Sequence, residues 1–314
     1  MLLHDLEKKG LLGTGDTKSR PPHWLANNTC YLTISGSISY GCADTNADEA
    51  SDFDTIGVCT PPKENVFPHL GGYIRGFDEP PDMQPGYGGN GVYEEHHIND
   101  PTARGGKGRQ YDLNIYNIIK FVRECAKGNP NLIDSLFTRR ECVLHCTQVG
   151  NILRDNRKLF FAKHLWATYK GYAYSQSHKM TGKQPKGKRV DLREKYGFDV
   201  KFGYNIVRLI DEAEQIFTMG DLDLQRNREQ LKAIRRGDWS EAQCLEYIQN
   251  KEKVLEELYL KSNLPNKPDM GKVKEVLFQC LEHHYGSLDK IIHTPDRAEN
   301  ILLQIKQLMS DAGY

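Results

Sequence analysis

The strongest constraint in this chain is a pair of aspartates, Asp52 and Asp54, at the start of an apolar run that follows a Gly36-Ser37 turn. Side chains in a strand alternate between its faces, so both carboxylates project to one side, roughly 6.5 Å apart along the backbone. Two carboxylates at that separation can bridge a pair of divalent cations about 3.5–4 Å apart, as in-line displacement at phosphorus requires. The spacing therefore predicts a two-metal site at the start of a strand.

The alternative for these aspartates is a pair of turn-forming or capping acids at a loop-to-strand junction, because Asp-x-Asp alone is common. The upstream turn favours the metal site. Gly36 lets the backbone approach a triphosphate, and Ser37 adds a hydroxyl donor. A third carboxylate is normally needed to complete the metal site and to help activate the attacking hydroxyl. Asp112 is the best candidate, because it lies in a short predicted strand that directly precedes a helix.

Composition sets the class of protein. At 314 residues the chain is long enough for two domains. Basic and acidic residues balance at 42 each, so any basic surface must be local. The eight scattered cysteines favour reduced thiols. Residues 1–9 lack the apolar core of a signal peptide, and no apolar run is long enough to span a bilayer. We therefore expect no membrane association and a cytoplasmic location, in the host cytoplasm if the gene is phage-encoded.

The pattern along the chain predicts a small α/β domain over residues 1–145 and an all-helical domain over residues 146–314. Strands are predicted at 30–34, 53–60 and 110–113, and further strand at 66–74. Helices are predicted after Ser37, from about 115 to 126, from about 131, and at 157–176, 199–219, 241–262, 272–285 and 296–309. Residues 61–108 otherwise look like a long loop, in which we expect His96 and His97 to be solvated rather than metal-bound.

Gly36-Ser37 followed by Asp52-x-Asp54 on the next strand resembles the DNA polymerase β nucleotidyltransferase superfamily. Further segments are similar to its bacterial and phage branch, called RlaP-like or YcgL-like and associated with RNA repair by gene context. They lie at residues 36–41, 51–54, 127–137, 199–201, 208–210 and 234–237. The resemblance covers roughly residues 30 to 270. It implies an α+β catalytic domain with a short mixed sheet, a helical C-terminal domain, and Asp112 as the third aspartate. The long spacer before Asp52 and the glycine-rich stretch at 86–108 depart from the usual pattern.

The same resemblance places the helix at 199–219 across the cleft from the metal site. It implies that Lys201 and Arg208 contact triphosphate oxygens and that Tyr204 or Asn205 lies near the base or ribose. The alternative, that this face is simply solvated, is about equally supported. A basic linker over residues 179–195 could contact triphosphate or RNA, or could be a solvated loop.

The resulting hypothesis is a nucleotidyltransferase that uses two Mg²⁺ ions, or Mn²⁺, and transfers a nucleoside monophosphate such as that of ATP to an acceptor hydroxyl. The resemblance points to RNA as acceptor, such as a tRNA 3′ end or a broken RNA terminus. One alternative keeps the reaction but uses a protein or small-molecule hydroxyl, as in toxin–antitoxin systems. Another is a non-catalytic nucleotide-binding module. The sequence does not specify the nucleotide or the oligomeric state.

Overall fold

The computed structural model describes residues 1–17, 20–43, 53–67, 91–182 and 188–286, together with residues 305, 308 and 309. Several predictions fall outside this set. They concern Asp52, most of the strand expected at 66–74, the glycine-rich stretch up to residue 90, part of the basic linker, and all but three residues of the helix expected at 296–309.

A five-stranded mixed sheet organises the first half of the chain, in the order β3-β4-β2-β1-β5. Its strands are β1 (Thr29–Ile34), β2 (Phe53–Cys59), β3 (Val92–Asp100), β4 (Arg109–Asn117) and β5 (Val143–Cys146). Strand β2 runs parallel to β4, whereas the other neighbouring pairs are antiparallel. The predicted α+β fold with a short mixed sheet is confirmed.

Strand β3 was not predicted, because residues 61–108 were expected to be mostly loop. Its sequence is polar, and its pairing with β4 shifts register between Glu95 and Ile98. His97 lies in this bulge with a φ of 59°. An inserted residue breaks the alternation of apolar and polar side chains by which a strand is recognised in sequence. His96 and His97 therefore lie within a strand, not a loop.

Helices make up most of the remaining described chain. Those of the first half are α1 (Leu2–Lys8), α2 (Leu25–Asn28), α3 (Gly36–Ser39), α4 (Lys63–Val66), α5 (Ile118–Ala126) and α6 (Pro130–Phe137). Those of the second half are α7 (Gln148–Asp155), α8 (His164–Gly182), α9 (Lys188–Tyr196), α10 (Val200–Met219), α11 (Arg228–Arg236), α12 (Glu241–Lys261) and α13 (Met270–Tyr285). A helical turn at Ala103–Gly106 and 3₁₀ turns at Arg140–Cys142 and Arg157–Phe160 complete the set. The predicted helical C-terminal half is confirmed.

Two of these boundaries correct the sequence-based assignment. Ile115 belongs to β4 rather than to the following helix, which begins at Ile118 with Asn117 as its N-cap; the Asn117 side chain accepts a hydrogen bond from the Lys120 amide. The supposed linker is helical at both described ends, in the last turn of α8 and throughout α9. Asn and similar residues favour N-caps because their side chains satisfy free helix amides.

The sheet is covered on both faces. On one face, Leu3, Leu6 and Leu25 from α1 and α2 pack against Leu32, Leu113 and Ile115. On the other face, Tyr31, Ile56 and Val58 join a single core that continues through α5, α6 and α10 to Leu281 of α13. Helix α10 lies at the centre of the helical layer and packs against α8, α11 and α12. The hydrophobic core is thus continuous across residue 145, where we predicted a domain boundary.

Candidate active site

Asp54 and Asp112 are direct partners in the parallel pairing of β2 with β4. Paired residues of neighbouring strands lie on the same face of a sheet, with the strands about 4.8 Å apart. Thr55 Oγ1 donates a hydrogen bond of 3.2 Å to the Asp112 carbonyl oxygen and ties the two strands at this point. The structure therefore places two of the three predicted metal ligands side by side.

Both carboxylates face the helical layer. Ile56 and Val58 follow Asp54 at two-residue steps on the same face of β2, and both belong to the core shared with α10. Asp54 itself is half-buried, and the Asp112 side chain is 18% exposed. The aspartates thus lie at the edge of the hydrophobic core between sheet and helices, and they are partly exposed to solvent.

Gly36 lies directly against the Asp54 carboxylate. A Cβ atom built on Gly36 would come within 2.5 Å of Asp54 Oδ2, and Gly36 has a φ of +64°. Both the contact and the left-handed conformation require glycine. The Ser35 amide donates to the Asp54 carbonyl oxygen at 2.8 Å, so the start of the turn is hydrogen-bonded to β2. The predicted proximity of turn and aspartate is observed, and Ser37 follows in the first turn of α3.

The bulge in β3 holds Asp112. The His97 amide donates to Asp112 Oδ1 at 2.7 Å, and His96 Nδ1 lies 3.6 Å from Asp112 Oδ2. The bulge is in turn anchored from the N-terminal segment, where the Asp16 amide donates to the His96 carbonyl oxygen at 2.9 Å. His96 and His97 were expected to be solvated. They are partly exposed, but they form one wall of the candidate site.

The donor set fits a hard divalent cation, since carboxylate oxygens are the ligands that Mg²⁺ prefers. Within the described parts of the chain, no group of three His, Cys, Asp or Glu side chains forms a complete metal site. Asp52, two positions before Asp54, lies outside those parts, so its place in the ligand set stays a prediction. Asp54 and Asp112 would supply the remaining carboxylates.

Comparison with protein families gives one match, to RlaP, the RNA repair pathway DNA polymerase beta family, over residues 18–275. That range covers most of the chain and includes the Gly-Ser turn, both aspartates and the β3 bulge. The chain belongs to the RlaP family. Comparison with curated proteins and with solved structures found no significant match. Membership in RlaP identifies a nucleotidyltransferase of the polymerase β type associated with RNA repair.

Helix α10 carries the four residues predicted to bind nucleotide, and that role stays a prediction. Tyr204 is buried, and the charge of Asp54 is among the causes that raise the pKa of its phenol, after burial as the largest. Asn205 is half-buried, and its amide donates to the Lys201 carbonyl oxygen at 2.9 Å. The Lys201 ammonium forms no ion pair with any described residue. Tyr204 is thus the member of this group that the structure connects to Asp54.

Arg208 departs from its predicted role. Its guanidinium is only 6% exposed, and Nη1 donates to Asp134 Oδ2 and, over 3.0 Å, to Glu212 Oε1. Tyr40, at the end of α3, donates to the same Asp134 oxygen at 2.9 Å. Burial raises the pKa of Glu212 well above its usual value, and the Arg208 charge acts in the opposite direction. Arg208 is therefore linked to the end of α3 through Asp134 and Tyr40, and two buried carboxyl groups already pair with its charge.

Sequence reasoning missed Arg235 of α11. Its Cζ atom lies 5.3 Å from the centroid of the Tyr204 ring, within cation–π range. Burial raises the pKa of the Cys42 thiol, and the Arg235 charge acts in the opposite direction. The residue falls within one of the segments that resemble the family, but no partner of its side chain could be read from neighbouring positions.

In the described parts of the chain, none of the helices combines the length and apolar character needed to traverse a lipid bilayer. All eight cysteines are free thiols in the structure.

Proposed function

We propose that this member of the RlaP family is a Mg²⁺-dependent nucleotidyltransferase that transfers a nucleoside monophosphate from a triphosphate to a hydroxyl of RNA. The observation that carries the proposal is the pairing of Asp54 with Asp112, with Gly36 in contact with the Asp54 carboxylate. A glycine turn against one of two neighbouring carboxylates provides a place for phosphate next to a place for metal. The bacterial and phage branch is supported by the sequence segments alone.

In the proposed reaction, the acceptor oxygen attacks the α-phosphorus and the bond to the pyrophosphate oxygen breaks. Metal ions bound by Asp52, Asp54 and Asp112 would neutralise the triphosphate and the developing charge. Gly36 permits close approach of the main chain to the phosphates, and the Ser37 hydroxyl is available as a donor. Asp112, which accepts a hydrogen bond from the His97 amide, would take the proton of the acceptor hydroxyl. Lys201 and Asn205 are proposed to contact the nucleotide from α10.

The choice of RNA rests on the family, whose description names an RNA repair pathway. Free thiols throughout the chain support a reducing compartment such as the cytoplasm. A protein or small-molecule hydroxyl remains the second candidate acceptor for the same reaction. It predicts nucleotide transfer that requires no added RNA. A non-catalytic binding module predicts triphosphate binding with no release of pyrophosphate.

The test incubates the protein and Mg²⁺ with each α-labelled ribonucleoside triphosphate and either total RNA or protein extract. We expect label in the RNA fraction and its loss with Asp54→Ala, by about 10³-fold or more, because several kcal/mol of charge stabilisation is removed. Circular dichroism of the variant should match that of wild type. Undiminished transfer by Asp54→Ala would refute the site, and label in the protein fraction would replace RNA as the acceptor.

A further inference from the structure

A triphosphate carries more negative charge than metal ions alone offset, and sites of this kind add protein cations. Two arginines of the helical half lie close to residues of the site: Arg208 Cζ is 4.3 Å from the ring centroid of Tyr40 at the end of α3, and Arg235 Cζ is 5.3 Å from that of Tyr204. Arg208 is buried, and its charge is already balanced by Asp134 and Glu212. It cannot turn toward a ligand without leaving two carboxyl groups buried and unpaired.

Arg235 differs in both respects. It is half-buried rather than enclosed. Its neighbours on α11 form ion pairs, Lys232 with Glu229 at 3.0 Å and Arg236 with Asp238 at 2.9 Å. Arg235 itself forms no ion pair with any residue that the structure describes. The Arg235 guanidinium contacts the Tyr204 ring rather than a carboxylate. Its positive charge can therefore pair with an anionic ligand.

Two hydrogen bonds connect the surroundings of Arg235 to the Gly-Ser turn and α3. Cys42, whose thiol pKa is raised by burial and lowered in part by the Arg235 charge, donates its amide to the Ser37 carbonyl oxygen at 2.9 Å. Gln225, in the segment between α10 and α11, donates from Nε2 to the Ser39 carbonyl oxygen at 3.1 Å. The second bond connects the segment before α11 to α3, and the first connects Cys42 to the Gly-Ser turn.

Tyr204 packs against Arg235. Its ring centroid lies 5.3 Å from Arg235 Cζ, and burial is the main cause of the raised pKa of its phenol, with the Asp54 charge adding to it. The Gly-Ser turn links these groups, since Ser37 bonds to Cys42 and Gly36 lies against the Asp54 carboxylate.

We propose that Arg235 is the residue of α11 that binds the triphosphate oxygens, with Tyr204 as the platform that orients its guanidinium. This inference rests on the proposed function, since it assigns a triphosphate to the same site. It moves the arginine contact expected of Arg208 on α10 to the next helix along the chain.

The test measures binding of Mg²⁺-tripolyphosphate, of each ribonucleoside triphosphate and of the matching nucleosides by isothermal titration calorimetry. We expect Arg235→Gln to weaken binding of tripolyphosphate and of the bound triphosphate about 10- to 100-fold, with nucleoside binding unchanged, since a charge-assisted bidentate contact is lost. Arg235→Lys should recover part of the loss, because it restores the charge without the planar fork.

Arg236→Gln is the matched control, because it removes a neighbouring exposed arginine that pairs with Asp238. It should bind tripolyphosphate as wild type does. Wild-type affinity in Arg235→Gln, or an equal loss for nucleoside and triphosphate, would overturn the inference. If those variants behave as expected but wild type transfers no label, the proposed catalysis fails and the binding role of Arg235 stands. If wild type binds no triphosphate, both are overturned.

Discussion

The main-chain amide of His97 donates a hydrogen bond of 2.7 Å to Asp112 Oδ1 from a residue whose φ is 59°. A left-handed conformation costs a residue with a side chain about 1–2 kcal/mol, and such conformations persist where the surroundings hold them. Here the surroundings are the pairing with β4 and the N-terminal segment that bonds to His96. The bulge thus orients a predicted metal ligand with a donor that no side-chain substitution removes.

Replacing His97 by glycine and by valine tests this role. Both variants lose the imidazole contact with Asp16, which lies at an exposed surface. Glycine tolerates the left-handed conformation, so His97→Gly should keep stability within about 1 kcal/mol of wild type and keep nucleotide transfer. Valine should destabilise the protein by at least about 1 kcal/mol and reduce transfer. Urea unfolding and labelled transfer measure the two effects. Equal behaviour of both variants would show that the bulge does not matter.

Gly36→Ala and Gly10→Ala separate conformational strain from displacement of a carboxylate. Both glycines have a φ near +65°, but a Cβ on Gly10 would meet no atom within 4 Å, whereas one on Gly36 would meet Asp54 Oδ2. We expect each variant to lose about 1–2 kcal/mol of stability. Only Gly36→Ala should lose transfer, by about 10²-fold or more, because the Asp54 side chain must move. Normal transfer by Gly36→Ala would place the reacting groups elsewhere.

Arg208→Met is expected to act on stability. The substitution leaves Asp134 and Glu212 buried without their cation, and breaking a buried ion pair costs about 3–5 kcal/mol. Urea unfolding should show this loss. Arg236→Met, at an exposed position, should stay within about 0.5 kcal/mol of wild type. An Arg208→Met variant that is as stable as wild type but binds tripolyphosphate poorly would return Arg208 to its predicted role as a ligand contact.

His164 should make stability depend on pH. Burial is the largest cause that lowers its pKa, and Nε2 lies 3.1 Å from the carbonyl oxygen of Ala126, the last residue of α5. Because the pKa is lower in the folded state, the unfolded chain binds the proton first as the pH falls. The contribution to the free energy of unfolding is therefore complete above the unfolded pKa of about 6.5 and is lost as the pH falls through the folded pKa.

Urea unfolding of wild type and His164→Gln between pH 7.5 and pH 5 measures this contribution. The glutamine amide cannot titrate, so stability should fall less steeply with pH in the variant. His145 and His284 also have lowered pKa values and stay in both proteins, so only the difference between the two slopes reports on His164. Identical slopes would show that His164 titrates alike in both states.

The strands and helices that could be predicted from the sequence are those with a regular local pattern of apolar residues. Strands β1 and β2 are short apolar runs, and α10 and α12 have regular apolar spacing. Strand β3 was missed because its bulge interrupts the alternation that marks a strand. For the site, the sequence predicted that the Gly-Ser turn, Asp54 and Asp112 belong together, and the structure brings Gly36, Asp54 and Asp112 together. Their role as phosphate and metal ligands stays a prediction.

Arg208 and Arg235 show what could not be predicted from the sequence. Helical spacing placed Arg208 and Tyr204 on one face of α10. Whether that face is solvated or buried depends on Asp134, which lies 74 positions away. Arg235 stands next to Arg236 in the last turn of α11, and nothing local distinguishes the two. Only the packing of α11 beside Tyr204 and Cys42 separates them.

The continuous core bears on how this molecule can be handled in the laboratory. Tyr31, Ile56 and Val58 lie in the strands of the site. They are buried in one core with residues of helices that come after residue 146. A fragment ending there would uncover these side chains and forfeit the free energy of their burial. Recombinant work on the aspartates therefore calls for the intact polypeptide, and a shortened catalytic piece would be expected to aggregate.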